Sequence, residues 1–214
     1  MESEFINMSH APLKRAVQSI LEHSQDYKWS VSGLGMLRTY LDEETRIHIW
    51  DSSLLVPGVT LLHTHPWSFE SVVIAGSIQD HRMTKLKGGP ISDRGLYDEY
   101  YIRCGAGGGV KDEPRKVRLY AQASRAYGDG HRYEHDPEDI HCTGFQEGSV
   151  TMVKRKFRED RDSAYVYAPA GEPFGNANSH PVSGLEALRI IRRSLHAWFK
   201  PNKNYPMEDC HVQG

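Results

Sequence analysis

The sequence predicts a mainly β chain, folded as an antiparallel sandwich or barrel with one helix near each end. Three observations predict it. Short runs rich in β-branched and aromatic residues recur at close intervals between Met36 and Lys156. Turns bearing glycine or proline, such as Pro57-Gly58 and Gly148, separate them. Helical periodicity occurs near the two ends and not between them, which argues against alternating strands and helices on a parallel sheet.

The elements follow in order. Residues 10–24 read as a helix, with Leu13, Ala16, Val17, Ile20 and Leu21 on one apolar stripe and Pro12 in the first turn. A β core spans about residues 30–156. It opens with a hairpin, Met36–Leu41 and Arg46–Trp50, closed by Asp42-Glu43-Glu44-Thr45. Further strands are expected at 59–65, 70–78, 80–86, 98–103, 117–123, 126–134, 139–145 and 149–156. The 87–115 segment is an insertion in which glycine-rich stretches, 88–90 and 105–109, flank the strand near Tyr97. The glycine run lacks the Gly-Lys-Ser/Thr of a phosphate loop and no helix follows it, so it reads as a hairpin connection. Residues 160–182, rich in Pro, Gly and Asn around Tyr165-Val-Tyr167, read as an extended arm covering an opening. A second helix occupies about 184–199. Its stripe is Leu185, Leu188, Ile191, Leu195, Trp198 and Phe199, and Arg189, Arg192 and Arg193 form a solvated basic face.

Composition narrows the function classes. The chain has 214 residues, 38% hydrophobic and 25% charged, and reads as a single domain over 1–214. A net charge of −2, with Lys and Arg clustered only at 111–118 and 154–161, speaks against a nucleic-acid partner. No apolar run is long enough to span a membrane, and the acidic start at residues 1–7 has no leader core. Cys104, Cys142 and Cys210 lack CxxC spacing, which predicts reduced thiols and a cytoplasmic setting.

Chemistry concentrates in Gly58 to Gly76. On a strand over 59–65, His63 and His65 share one face. Glu70 follows five residues later and opens the run Val72-Val73-Ile74, so a returning strand can point it back. Two imidazoles and a carboxylate are transition-metal ligands. His141, at the start of a strand after the Asp136–Asp139 turn, is the expected fourth ligand, with His135 its competitor. His131, Tyr133 and His135 alternate onto one face, as pocket lining or as groups orienting a ligand. Trp67 is an expected wall residue. Cys142, next to His141, points to the opposite face.

Gly58, His63, His65, Glu70 and Gly76, followed by Pro137 and His141, resemble the two motifs of the cupin superfamily. The resemblance covers about residues 36–156. The runs before His63 and after Glu70 are one residue short, Asp139 stands where glycine is common, and Phe145 replaces a frequent asparagine. The resemblance implies a jelly-roll β-barrel in which His63, His65, Glu70 and His141 bind one divalent metal. Fe(II) is the first choice, with Mn(II), Ni(II) or Zn(II) as alternatives. It further implies a dioxygenase acting on a small polar substrate, the alternatives being a metal-dependent isomerase or decarboxylase and a non-catalytic cupin that binds a small ligand. A homodimer through an edge strand is the remaining expectation.

Overall fold

A computed structural model describes residues 8–86, 95–104, 109–110, 112–156, 162–177 and 179–196. The two glycine-rich stretches of the 87–115 insertion lie almost wholly outside these residues, as do the start of the chain and the region of Trp198 and Phe199.

The described chain is mainly antiparallel β. It begins with α1 (His10–Glu22) and continues through β1 (Trp29–Ser32), β2 (Leu34–Tyr40), β3 (Thr45–Leu55), β4 (Ser68–Ala75), β5 (Ser77–Lys85) and β6 (Leu96–Arg103). Then come β7 (Arg115–Gly128), β8 (Arg132–His135), β9 (Ile140–Phe145), β10 (Val150–Lys156), β11 (Ser163–Pro169), β12 (Ser179–Val182) and α2 (Gly184–His196). Two open sheets result. The larger has the order β12-β1-β2-β3-β10-β4-β8, the smaller β11-β6-β7-β5-β9.

Alternation along the strands builds three layers. In β3, Ile47 and Ile49 join a core with Leu13, Val17, Ile20 and Leu21 of α1 and Ala187, Ile190 and Ile191 of α2. The intervening residues Arg46, His48 and Trp50 line a cavity on the opposite face. Met36 of β2, Phe69 and Val73 of β4 and Val153 of β10 share that second face, and they pack with Ile78 and Phe145 of the smaller sheet. The larger sheet is thus covered on both faces, by the helices on one and the smaller sheet on the other. This explains why Thr45 to Asp51 is buried without a break although its pairing is antiparallel.

The hairpin turn between β2 and β3 sets this sorting. Asp42 Oδ1 accepts from the backbone N–H groups of Glu44 (2.7 Å) and Thr45 (2.5 Å). The register then pairs Arg38 with His48 and Tyr40 with Arg46. Gly76 joins β4 to β5 at φ +81°, and a Cβ there would lie 2.4 Å from Ser149 Oγ, so the crossing from one sheet to the other requires glycine.

Four expectations are corrected. The 59–65 segment is extended but forms no strand; His63 makes isolated bridges to His141 and Val166. The expected strands 117–123 and 126–134 are one long strand, β7, followed by the short β8. The 160–182 arm contains β11, which extends the smaller sheet beside β6, and β12, which pairs with β1. Its apolar-polar period was visible in Ala164, Val166 and Ala168, but the Pro and Gly that follow from residue 169 obscured it. Finally, Cys142 is disulfide-bonded rather than a reduced thiol, while Cys104 is free and exposed.

The buried face of α2 is also rotated from the expected stripe. Leu185 is exposed, and Ala187, Ile190, Ile191 and Ser194 face the sheet. The cause is a polar latch. Asp51 of β3, 1% exposed, accepts from Arg193 Nε (3.0 Å) and Nη2 (2.5 Å) and from Ser194 Oγ (2.8 Å). Burial pushes the Asp51 carboxyl up, but the hydrogen bonds from Ser53, Arg193 and Ser194 outweigh it and hold it below the usual carboxylate range. Among the described residues no helix is long and apolar enough to cross a membrane.

Asp51→Ala is expected to destabilise the fold by roughly 1–3 kcal/mol at pH 7, the cost of stripping partners from a buried polar group. The folded-state pKa is depressed, so the stabilisation is complete above the unfolded value of about 3.9 and is lost as pH falls through the folded value. Melting temperatures of wild type and variant, compared from pH 7 downward, should converge below about pH 4.

Candidate metal centre

His63 and His65 ride on the extended segment between β3 and β4, which other elements hold in place. His63 N–H donates to the His141 carbonyl (2.9 Å) and His141 N–H to the His63 carbonyl (3.0 Å). On the other side Thr64 N–H donates to Tyr165 O and Tyr167 N–H to Leu62 O, both at 2.9 Å. The start of the segment is pinned as well, since Thr60 N–H donates to Gly175 O and Gly175 N–H to Thr60 Oγ1. A Cβ at Gly175 would overlap the Gly58 carbonyl, so this close approach needs glycine.

The imidazoles of His63, His65 and His141 converge. One ligand nitrogen from each lies within 4.8 Å of the others. The three rings line a cavity of about 190 Å³ between the sheets, with Trp67, Phe69 and Tyr133 among its other walls. Hydrogen bonds fix which nitrogens face inward. His63 Nδ1 donates to the Leu61 carbonyl (2.7 Å), which leaves its Nε2 as a lone-pair donor. His141 Nδ1 donates to Asp80 Oδ1 (3.3 Å) and presents Nε2 likewise. That Nε2 stands 3.0 Å from His65 Nε2. Two imidazole nitrogens bound about 2.1 Å from one ion at right angles lie about 3.0 Å apart. Without a metal, His65 Nε2–H donates to His141 Nε2 at this spacing, and a divalent transition metal would fit in place of that shared proton.

All three rings are held neutral, the form a metal ligand requires. Burial pushes His63 down to about 3, with His141 beside it adding to the shift. Burial likewise pushes His141 to about 4 against an opposing pull from Asp80. His65 is lowered well below the usual value by burial, then by His63. Its ring stacks on Trp67 with centroids 4.2 Å apart and meets Phe69 edge-on at 5.1 Å.

The structure does not bring Glu70 to the histidines. Phe69 occupies the cavity-facing position in β4, and the neighbouring Glu70 falls on the other face. There its carboxylate takes a 2.8 Å bond from Arg132, whose other nitrogen donates to the Met8 carbonyl. The acid beside the centre is Asp80 of β5, which sequence reasoning missed. It is 1% exposed and touches His141, His135 (3.1 Å) and Arg82 (2.8 Å). Burial raises its carboxyl, yet the contacts with His135, His141 and Arg82 dominate and hold it far below the usual range. Asp80, His135 and His141 form a second cluster of ligand-type groups, all buried. The available signal was alternation: Ile78 is inward, so Asp80 is too.

The remaining expected residues separate. Tyr133 is a cavity wall, stacked on Tyr127 at 4.7 Å. His135 is buried behind His141, their centroids 4.0 Å apart, where it helps to hold Asp80. His131 is exposed, and its Nδ1 contacts Gly128 in the local turn, so it does not join the pocket. Asp139, the departure from the motif glycine, takes a 3.1 Å bond from Arg82 and so braces the Asp80 cluster.

Two substitutions separate these roles by elemental analysis of protein purified without chelators. Glu70→Gln is expected to leave metal content unchanged and to cost at most about 1 kcal/mol, as for a partly exposed ion pair. Asp80→Asn is expected to weaken metal affinity about 10- to 100-fold by releasing the His141 ring. Loss of metal in Glu70→Gln would show that the glutamate swings into the site.

No family model matches the chain and no curated protein matches it significantly, so its function is read from these side chains.

Proposed function

We propose that the protein is a metal-dependent enzyme of cupin type, and that it acts as a dioxygenase on a small polar molecule. The observation that carries this reading is the convergence of His63, His65 and His141 on the wall of a cavity between the sheets. Two facing antiparallel sheets around that cavity support a cupin jelly roll, although neither sheet closes on itself. With Glu70 paired to Arg132, the ligand set is three neutral imidazoles. Such a set suits Fe(II), Ni(II) or Zn(II), with Mn(II) a further alternative, and Fe(II) is the choice that goes with the dioxygenase reading.

A bound metal would supply Lewis acidity and open coordination positions for substrate and dioxygen. The chain supplies the rest. Leu61 and Asp80 hold two of the rings so that Nε2 faces the cavity. Trp67 and Phe69 fix the His65 ring and, with Met36, Trp50 and Val153, exclude water from the reaction space.

The test is the metal content of the protein as purified, followed by turnover of a small-molecule panel with and without oxygen. About one equivalent of metal, lost in His63→Ala, and product formed only with oxygen are expected. Turnover that persists anaerobically would reassign the protein as an isomerase or decarboxylase. Bound small molecule without turnover would make it a non-catalytic cupin. Less than about a tenth of an equivalent of any transition metal would sink the centre.

A further inference from the structure

The cavity has a second chemical feature that the metal centre does not use. Beside the three histidines its wall carries Arg38, Arg46 and His48, and among the described residues no aspartate or glutamate. Arg46 and His48 are 8% and 3% exposed. Arg46 Nε and His48 Nε2 are buried without a hydrogen-bond partner. Arg46 hydrogen-bonds to the Tyr40 side chain and packs over the Trp67 ring at 4.7 Å. Arg38 and Arg155 act on it as like charges. Among the described residues no carboxylate forms an ion pair with Arg38 or Arg46.

A buried guanidinium without a counter-ion is costly, and another arginine beside it adds to the cost. Chains tolerate such an arrangement where a ligand supplies the missing charge. A bound metal would add to the demand, because three neutral imidazoles would leave a dication uncompensated by any directly bound carboxylate. The Trp67 ring touches both Arg46 and His65, so the two ends of the cavity are one side chain apart.

We infer that Arg46, with Arg38 and His48, forms an anion-binding subsite, and that the substrate is a small organic carboxylate held there with its other end at the histidines. This deepens the reading above and rests on the same cavity being the reaction site. The planar fork of Arg46 matches a carboxylate, and the imidazole of His48 adds an N–H donor. Met36, Trp50 and Val153 cover the stem between the two ends. A volume of about 190 Å³ suits a small ligand.

The probes are mono- and dicarboxylates of two to five carbons, each compared with its uncharged amide, and inorganic phosphate, all at constant ionic strength. Binding is read as the rise in melting temperature of the whole protein, with and without added Fe(II). At least one acid is expected to stabilise wild type while its amide does not. Arg46→Met should weaken that acid roughly 10- to 100-fold, the worth of a charge-assisted hydrogen bond. Arg46→Lys, which keeps charge without the fork, should lose part of this and remain folded if Arg46→Met does not. Without ligand, Arg46→Met should melt no lower than wild type, because it removes an unpaired buried charge.

Equal effects of every acid and its amide, undiminished acid binding in Arg46→Met and Arg46→Lys, or stabilisation by phosphate alone would each overturn the subsite. Metal content, measured in parallel, decides the centre separately. Acid binding through Arg46 in a protein that takes up no metal would refute the enzyme reading and leave the subsite standing.

Discussion

The candidate site depends on one backbone constraint: an extended segment with no strand of its own is held between two strands. His63 pairs with His141 of β9 on one side, and Leu62 and Thr64 pair with Tyr167 and Tyr165 of β11 on the other. A free segment of this length would sample many conformations and scatter its histidines. Clamped on both sides, it gives His63 and His65 one orientation, and the same backbone bonds that hold His63 also place His141. The strands that do the clamping come from distant parts of the chain, so the three histidines assemble only once the smaller sheet is complete. The long-range pairing of residue 63 with 141 and 166 is characteristic of β topologies that form late and cooperatively.

Electrostatics divide the cavity in two. At the histidine end burial removes charge, and Asp80 behind His141 steers a proton to Nδ1 without itself facing the cavity. At the other end burial has left charge in place. Burial is also what lowers Arg46, to about 10, so it stays protonated at neutral pH. Fixed cations favour negative groups at that end, while the neutral nitrogen lone pairs at the other favour a cation, and the low-dielectric aromatic walls strengthen both interactions.

Much of the fold was legible because period and turn chemistry agreed. The hairpin from Met36 to Trp50 and the strands near 70–78, 80–86 and 139–145 appear close to their expected places, and so do both helices. What was missed follows from competition between neighbours. Phe69 and Glu70 alternate, so only one can face the cavity, and the apolar ring takes that place while Arg132 claims the carboxylate. Spacing along the chain could not reveal this, since the competing partner lies 62 residues away. The same holds for α2, whose buried face is set by Asp51 across 142 residues rather than by its own leucines. The arm at 160–182 misled for the opposite reason. Its prolines and glycines are genuine breakers, but they begin at Pro169, where β11 ends, instead of replacing it. Asp80 and Arg46 were readable from alternation with Ile78 and Trp50, yet neither belongs to the motif that drew attention to His63.

The double coverage of β3 carries a consequence for how this protein can change over evolutionary time. Its inward and outward residues have opposite chemistry: Arg46, His48 and Trp50 against Ile47, Ile49 and Asp51. A slip of one residue would exchange the two sets, placing isoleucines in the cavity and arginine under the helices. The Asp42 turn alone separates β3 from β2, so a change in its length would disturb the site as surely as a change in one of its side chains. Surface loops usually tolerate insertions and deletions. This one is the exception, a solvent-exposed turn that works as a reading frame for the interior.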